Sequence, residues 1–391
     1  MLRLFGLTFL MLSFYSASSN GQDKNNLNET NNDLFKLSGY LMIDHDYFSP
    51  FYHEETRKHH NRTEIRRSKI GISFKPNQYI KGKFQLKYAQ LFPNEGKVVP
   101  GDIYLRFKYH SNIAIQIGHM KEPYGLEQQT SSTELIAIER SLPTTVFSPT
   151  RSYGLLVDSK HKDYTLAGGY FINKNRGREF LLTNFDLLQR EINDTEALTL
   201  RLTAAPIHEK NKTLHMGSSI SKRWLYDDKF QIKSRGGIHT GDKIIRSPRF
   251  YADESKLYQI DIAFQQGSFL TQAEFFINQV EQTDNNLWNF YGGYIQASYK
   301  LFGSYQYKKG SFRSLKNNND TSIEWVIRHA HINLQENHVG SAASSSLLGI
   351  NLQLNSNIKL MLNTNIPWVA GDIINTYQSG RSYSLRAQFN F

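Results

Sequence analysis

The chain has 391 residues, of which 13% are aromatic, 21% are charged and none is cysteine; 46 Lys and Arg against 35 Asp and Glu give a net charge of +11. Disulfides and thiol or Cys-metal chemistry are therefore excluded. So many aromatic residues argue against disorder, and the basic excess points to anionic partners.

In the first residues, MLRLFGLTFLMLSFYSASSNG, Arg3 precedes an apolar run from Leu4 to Tyr15 and then small residues. This reads as a secretory signal peptide over residues 1–20, too short for a membrane-spanning helix. Residues 21–36 are Asn-rich and polar and read as a flexible mature N-terminus. Beyond the signal no apolar run approaches the ~20 residues a spanning helix needs, so the membrane option left is a closed β-barrel over residues 37–391.

From Leu37 onward, segments with a period of two alternate with turn residues. In residues 80–90, Phe84, Leu86 and Tyr88 oppose Lys81, Lys83, Gln85 and Lys87. In 98–109, Ile103, Leu105, Phe107 and Tyr109 oppose Asp102, Tyr104, Arg106 and Lys108. The last segment sets Tyr383, Leu385, Phe389 and Phe391 against Ser384, Arg386, Gln388 and Asn390. Similar patterns lie near 38–48, 64–75, 112–119, 153–159, 162–173, 197–207, 212–225, 228–241, 255–267, 268–280, 289–302, 323–334, 345–355 and 357–367. That makes seventeen candidates. Bacterial single-chain barrels have even strand numbers, so one is surplus and sixteen strands are expected. A soluble sandwich would shield a face carrying Lys81, Lys83 and Lys87 poorly, whereas a barrel lumen simply wets it. Short breaks (76–78, 110–112, 355–357) suit tight periplasmic turns, and long ones (49–63, 120–152, 174–196, 310–322) suit the opposite end.

One stretch breaks the pattern: EPYGLEQQTSSTELIAIERSLP, residues 122–143. Ser131 with Glu134 reads as a capping box, and Leu135, Ile138 and Leu142 follow at helical spacing. Arg140 sits on this insertion, and Lys121 and Arg151 bracket it.

The block at 115–157, together with EIRRSKIGISFKP, GDIYLRFKY, YGGYIQASYKLFG, EWVIRHAHINL, LGINLQLNSNIKLMLNTN and the terminal YSLRAQFNF, resembles the phosphate-selective porins O and P of Gram-negative outer membranes. The likeness covers about residues 37–391. It implies an all-β transmembrane antiparallel barrel of sixteen strands, usually trimeric, that sits in outer-membrane lipid and passes inorganic phosphate or other small anions. It implies too that the third long loop, 120–150, folds inward and carries Arg140 into the lumen. By the same likeness Arg66 and Arg67 match paired lumen arginines, and Asp102 matches an acidic residue near the constriction. No cofactor and no nucleic-acid partner are implied.

The physics of a lumen agrees with that implication. An anion leaves its hydration shell only for close donors, which Arg supplies as a planar fork and Lys as a mobile charge. If Ile70, Ile72 and Phe74 face lipid, Arg67 and Lys69 face the lumen. Arg66 then has lipid-facing parity unless a bulge shifts the register. Lys81, Lys83 and Lys87 form either a basic slide or a solvated strand face. Arg106, Lys108, Arg201 and Arg386 have lumen parity. Arg140 is either a transit residue or a loop residue paired with Glu139 or Asp102. For Lys121 and Arg151 the choice is transit or loop anchoring. The segment EQQTSSTE, 127–134, is acidic and neutral where lysine would serve an anion, so a less selective pore or one tuned to another oxyanion stays open.

Other chemistry is weaker. His45, His53, Glu54, Glu55, His59 and His60 crowd the first long break without a defined metal-ligand spacing. No G-x-S-x-G, H-E-x-x-H or P-loop occurs. An adhesin or purely structural barrel would be dominated by exposed loops, whereas the longest one here resembles an internal constriction.

Overall fold

The computed structural model describes residues 34–53, 58–91, 95–173, 195–226, 229–315, 321–372 and 377–391. The signal peptide expected over 1–20 and the tail as far as 33 lie outside the described residues, as does most of the connection 174–196.

Sixteen antiparallel strands form the wall: β1 Phe35–Phe48, β2 His60–Phe74, β3 Ile80–Leu91, β4 Glu95–Lys108, β5 Ile113–Lys121, β6 Arg151–Lys160, β7 Tyr164–Asn173, β8 Thr195–His208, β9 Lys212–Leu225, β10 Phe250–Gln266, β11 Phe269–Gln282, β12 Leu287–Lys300, β13 Ser322–Asn333, β14 Ser341–Gln353, β15 Ile358–Gly371 and β16 Ser382–Asn390. Each pairs with its sequence neighbours, and β16 pairs with β1 from Tyr40↔Asn390 to Phe48↔Ser382, which closes the barrel and leaves no edge. The first strand starts at Phe35, so the last two residues of the expected tail belong to the wall. There Phe35 pairs with Phe74 and their rings lie 6.5 Å apart.

Alternation does what the sequence predicts. Ile70, Ile72, Phe84, Leu105, Leu200, Ile260, Ile295, Ile327 and Leu385 are exposed on the outer face. Gln85, Arg201, Asp261, Glu274, Arg328, Asn351 and Arg386 are buried on the inner one. The C-terminal Phe391 lies over Gly39, with Gly39 N–H donating to Phe391 O (3.0 Å) and Phe391 N–H to Gly39 O (3.1 Å).

Three expectations need correction. The surplus candidate is 228–241, which forms only the short pairings Lys229–Phe230 with the start of β10 and Lys233–Ser234 with Ile245–Arg246. Its isoleucines face inward: Ile232 and Ile238, with Ile244 and Ile245 just beyond the segment, join Phe48, Phe51, Tyr52, Tyr124, Phe147 and Phe276 in one buried cluster inside the barrel. Next, the connection after β12 is not at the long-loop end. Counting strands from β1 places 301–321 at the end of the short turns, where the hairpin Tyr305–Tyr307 with Phe312–Ser314 packs inside. There Tyr305 donates to the Glu324 carboxylate, and Tyr307 lies 2.9 Å from His215 Nδ1. Finally, no helix runs from Ser131 to Leu142. Ser131 caps a single 3-10 turn, Ser132–Glu134, and the chain then extends because the barrel wall takes its backbone groups in place of a helix.

Candidate anion pathway and its inward loop

The third loop leaves β5 at Lys121 and crosses the lumen. Its first turn needs Gly125 at φ +65°, after which the N–H groups of Leu126 and Glu127 donate to Glu274 (2.9 and 2.6 Å) on the far wall. Glu122, fully buried, accepts from Arg223, Thr199 and Ser152. A short helix, α1 (Leu126–Gln129), follows. From Leu135 to Glu139 the wall's polar side chains hold the backbone directly. Lys359 donates to Leu135 O, Asn351 to Ile136 O, Arg386 to Ile138 O and Arg328 to Glu139 O, while Ile138 N–H donates to Asn363. The Glu127 carboxylate accepts from Arg328 Nη2 (2.7 Å) and from Ser141 N–H (3.0 Å). Helix α2 (Leu142–Phe147), capped by Ser141, then buries Leu142 and Phe147 against β11, where the Phe147 and Phe276 rings stack at 6.2 Å.

Arg140 is held by this loop itself. Its Nε donates to Glu127 O (3.1 Å) and its Nη2 to Thr130 O (2.8 Å). Lys121 makes the companion contacts, donating to Gln128 O (2.7 Å) and Thr130 O (3.2 Å). Asp102, the residue expected beside Arg140, instead accepts from Arg151 Nε (2.6 Å) and Lys83 Nζ (2.9 Å). Carbonyl oxygens accept from the guanidinium's N–H groups but leave its charge uncancelled.

Arg66 and Arg67 both turn inward. Between Met42↔Arg67 and Ile43↔Ile65 the pairing of β1 with β2 skips Arg66, so a bulge there reverses the parity that spacing assigned to it. Arg66 Nε and Nη2 meet Glu139 at 2.8 and 2.9 Å, Arg67 Nη2 meets it at 3.0 Å, and Arg386 Nη2 at 2.9 Å. Burial alone would raise the Glu139 carboxyl, but the guanidiniums of Arg66, Arg67 and Arg386 hold it well below its ordinary value of 4.5.

The wall of β2, β3, β4 and β6 carries the remaining cations. Lys69 and Lys87 are directly opposite each other in the register, and Lys81 is opposite Arg106. Lys69 lies 4.7 Å from the centre of the Tyr40 ring. On the same wall Asp102 is shared by Lys83 and Arg151, while Glu139 of the loop is shared by Arg66, Arg67 and Arg386.

The other predicted residues stand apart. Arg106 is neutralised by a two-pronged pair with Asp158 (2.5 and 2.7 Å). Lys81 and Lys108 are exposed toward the short-turn end. Arg201 is locked on Asp261 in a buried pair; Arg386 is the exception, since it pairs with Asp44 and also reaches Glu139. Sequence reasoning missed the anchoring roles of Glu127, Arg328, Lys359 and Glu274, because the loop and wall groups that they join are far apart in sequence. Among the described residues no cluster of His, Cys, Asp and Glu could hold a metal.

Comparison with known proteins agrees with this architecture. Residues 35–391 match the family described as phosphate-selective porin O and P. Porin O of Pseudomonas aeruginosa is 24% identical over 369 residues, covering 83% of this chain and 81% of that protein. Among solved structures, outer-membrane OmpT of Vibrio cholerae superimposes with a TM-score of 0.58 at 9% identity, covering 91% of this chain and 97% of that one. An anion-selective porin from Comamonas acidovorans gives 0.55 at 9% identity, covering 91% and 99%. The chain belongs to the phosphate-selective porin O and P family.

Proposed function

We propose that this outer-membrane anion porin of a Gram-negative cell passes phosphate or a similar small oxyanion between the third loop and the wall of β2, β3, β4 and β6, that it works as a homotrimer, and that it catalyses no reaction. One observation carries the reading: Lys69 and Lys87 stand directly opposite one another on that wall. Like charges directly opposite destabilise a sheet, and a passing anion relieves that repulsion. Their flanking carboxylate, Asp102, is already occupied by Lys83 and Arg151. A diffusing anion therefore meets flexible point charges and an edge of guanidinium, close enough to replace water and weak enough to release. The family description and the trimeric form of a structural relative, the in vitro folded OmpT of Vibrio cholerae, support the substrate and the assembly.

Planar-bilayer recording tests this. In KCl the reversal potential is expected to show anion selectivity, and stepwise phosphate is expected to block chloride current, more weakly in Arg140→Ala. Cation selectivity, or anion current indifferent to phosphate, would remove the substrate. A second reading, a less selective or differently tuned oxyanion pore, is favoured by Gln128, Ser131 and Ser132, which bring no charge to the loop segment beside Arg140. Sulfate blocking as well as phosphate would favour it.

A further inference from the structure

We propose that Glu139 is a tethered counter-anion: its carboxylate occupies an oxyanion site built by Arg66, Arg67 and Arg386, and a diffusing anion reaches those guanidiniums only by displacing it. The inference rests on the reading of this lumen as an anion path and says what sets its affinity.

The geometry is that of a bound ligand. Glu139 Oε1 accepts from Arg66 Nε and Arg386 Nη2, and Oε2 accepts from Arg66 Nη2 and Arg67 Nη2, all between 2.8 and 3.0 Å. Three guanidiniums with two N–H donors on each oxygen is how a free phosphate or sulfate would be held, since the Arg fork fits carboxylate and phosphate alike. The bulge at Arg66 turns that residue inward beside Arg67, so two adjacent arginines reach the same point. Arg67 Nη1 is buried and has no hydrogen-bond partner among the described residues, so the site has a donor to spare.

The carboxylate is not what holds the loop in place. The backbone on both sides is fixed independently, through Ile138 N–H to Asn363, Ile138 O to Arg386, Glu139 O to Arg328, and Arg140 to two loop carbonyls. With the acid removed, Arg386 keeps its pair with Asp44 and Arg66 keeps Glu64 at 3.9 Å, but Arg67 keeps no carboxylate among the described residues. An anion from solution then has a vacated site beside the channel.

The test is made on the full-length protein in planar bilayers: wild type, Glu139→Gln, and Glu139→Gln combined with Arg67→Gln. The readouts are reversal potential in a KCl gradient and the half-blocking concentrations of phosphate and sulfate. Glu139→Gln is expected to lower the half-blocking concentration about tenfold, as one regained charge-assisted contact would, and to increase chloride over potassium permeability. The double variant is expected to return toward wild type. A correctly assembled Glu139→Gln channel with unchanged or weaker block and unchanged reversal potential overturns the proposal. If Glu139→Gln does not assemble, Glu139→Asp, which withdraws the carboxylate by one methylene, is expected to give an intermediate gain, and no gain there overturns it too. Should the wild type ignore phosphate, the phosphate reading falls; reversal potential and sulfate block in Glu139→Gln still decide this one.

Discussion

Lys69 and Lys87 are not interchangeable with the lysines farther along the same face. Both are half-buried and directly opposite one another, whereas Lys108 is exposed near a turn. A unit charge a few ångströms from a passing ion is worth about 1 kcal/mol in water and more where water is thinned by the loop. Lys69→Gln or Lys87→Gln is therefore expected to cut anion selectivity several-fold, read as a shift in reversal potential, while Lys108→Gln moves it little. An equal shift in all three would show that the selectivity is spread along the pore. Because the two lysines repel one another, the double variant should lose less than the sum of the single losses. The charge state of Glu139 gives a second prediction. Its carboxyl is held well below the ordinary 4.5, so its ion pairs are complete above that value and are lost only as pH falls through the depressed one. The difference in reversal potential between wild type and Glu139→Gln is expected to stay constant from pH 7 to pH 5. A difference that vanishes within that window would mean the arginines do not hold the carboxylate as described.

At the scale of elements, strands were legible and what fills the barrel was not. Period-two alternation located the sixteen wall strands, because lipid on one side and water on the other impose it on every strand. Alternation does not say which apolar medium it faces, which is why 228–241 reads as a strand while Ile232 and Ile238 pack against Phe51 and Tyr52 inside. Arg66 was unreadable for a related reason: a one-residue bulge leaves no periodic mark but reverses a side chain. The helix expected after Ser131 gave way because Lys359, Asn351, Arg386 and Arg328, all distant in sequence, take the backbone carbonyls such a helix would have used. Loop anchoring can be probed at Glu274, which caps the N–H groups of Leu126 and Glu127. Glu274→Ala takes the acceptor from the two loop N–H groups and also from Tyr294 and Gln259, at about 1–3 kcal/mol for each donor left unpaired, and is expected to turn a quiet channel into one with frequent conductance substates. A steady trace would show that the remaining anchors suffice. Barrel closure can be probed at Gly39, where a Cβ would lie 2.3 Å from the Phe391 ring and 2.6 Å from Lys69 O. Gly39→Leu is expected to cost about 1–3 kcal/mol of stability, read as a lower temperature for the loss of the folded, heat-modifiable band; an unchanged temperature would mean that the terminal strand shifts freely.

At the scale of the whole molecule, the charges divide into two populations that salt should separate. One population is structural. Arg386 with Asp44, Arg328 with Glu127, and Arg201 with Asp261 are buried pairs that tie loop to wall or strand to strand. Ions in solution reach such pairs poorly, and breaking one would strand an unpaired buried charge. The other population, Lys69 and Lys87, lines the proposed path and acts through water. Raising KCl from about 0.1 M to about 1 M shortens the screening length from about 10 Å to about 3 Å, less than the spacing over which these cations cooperate. Phosphate block is therefore expected to weaken steeply over that range, while the thermal stability of the barrel changes little. Parallel bilayer recordings and melting curves at the same salt steps make the comparison. If stability fell together with block, the buried pairs would be exposed to solvent and the loop would not be the fixed wall that the proposed path requires. If block persisted at high salt, phosphate would be held by a dehydrated site of short hydrogen bonds, and the arginines around Glu139 would be its place.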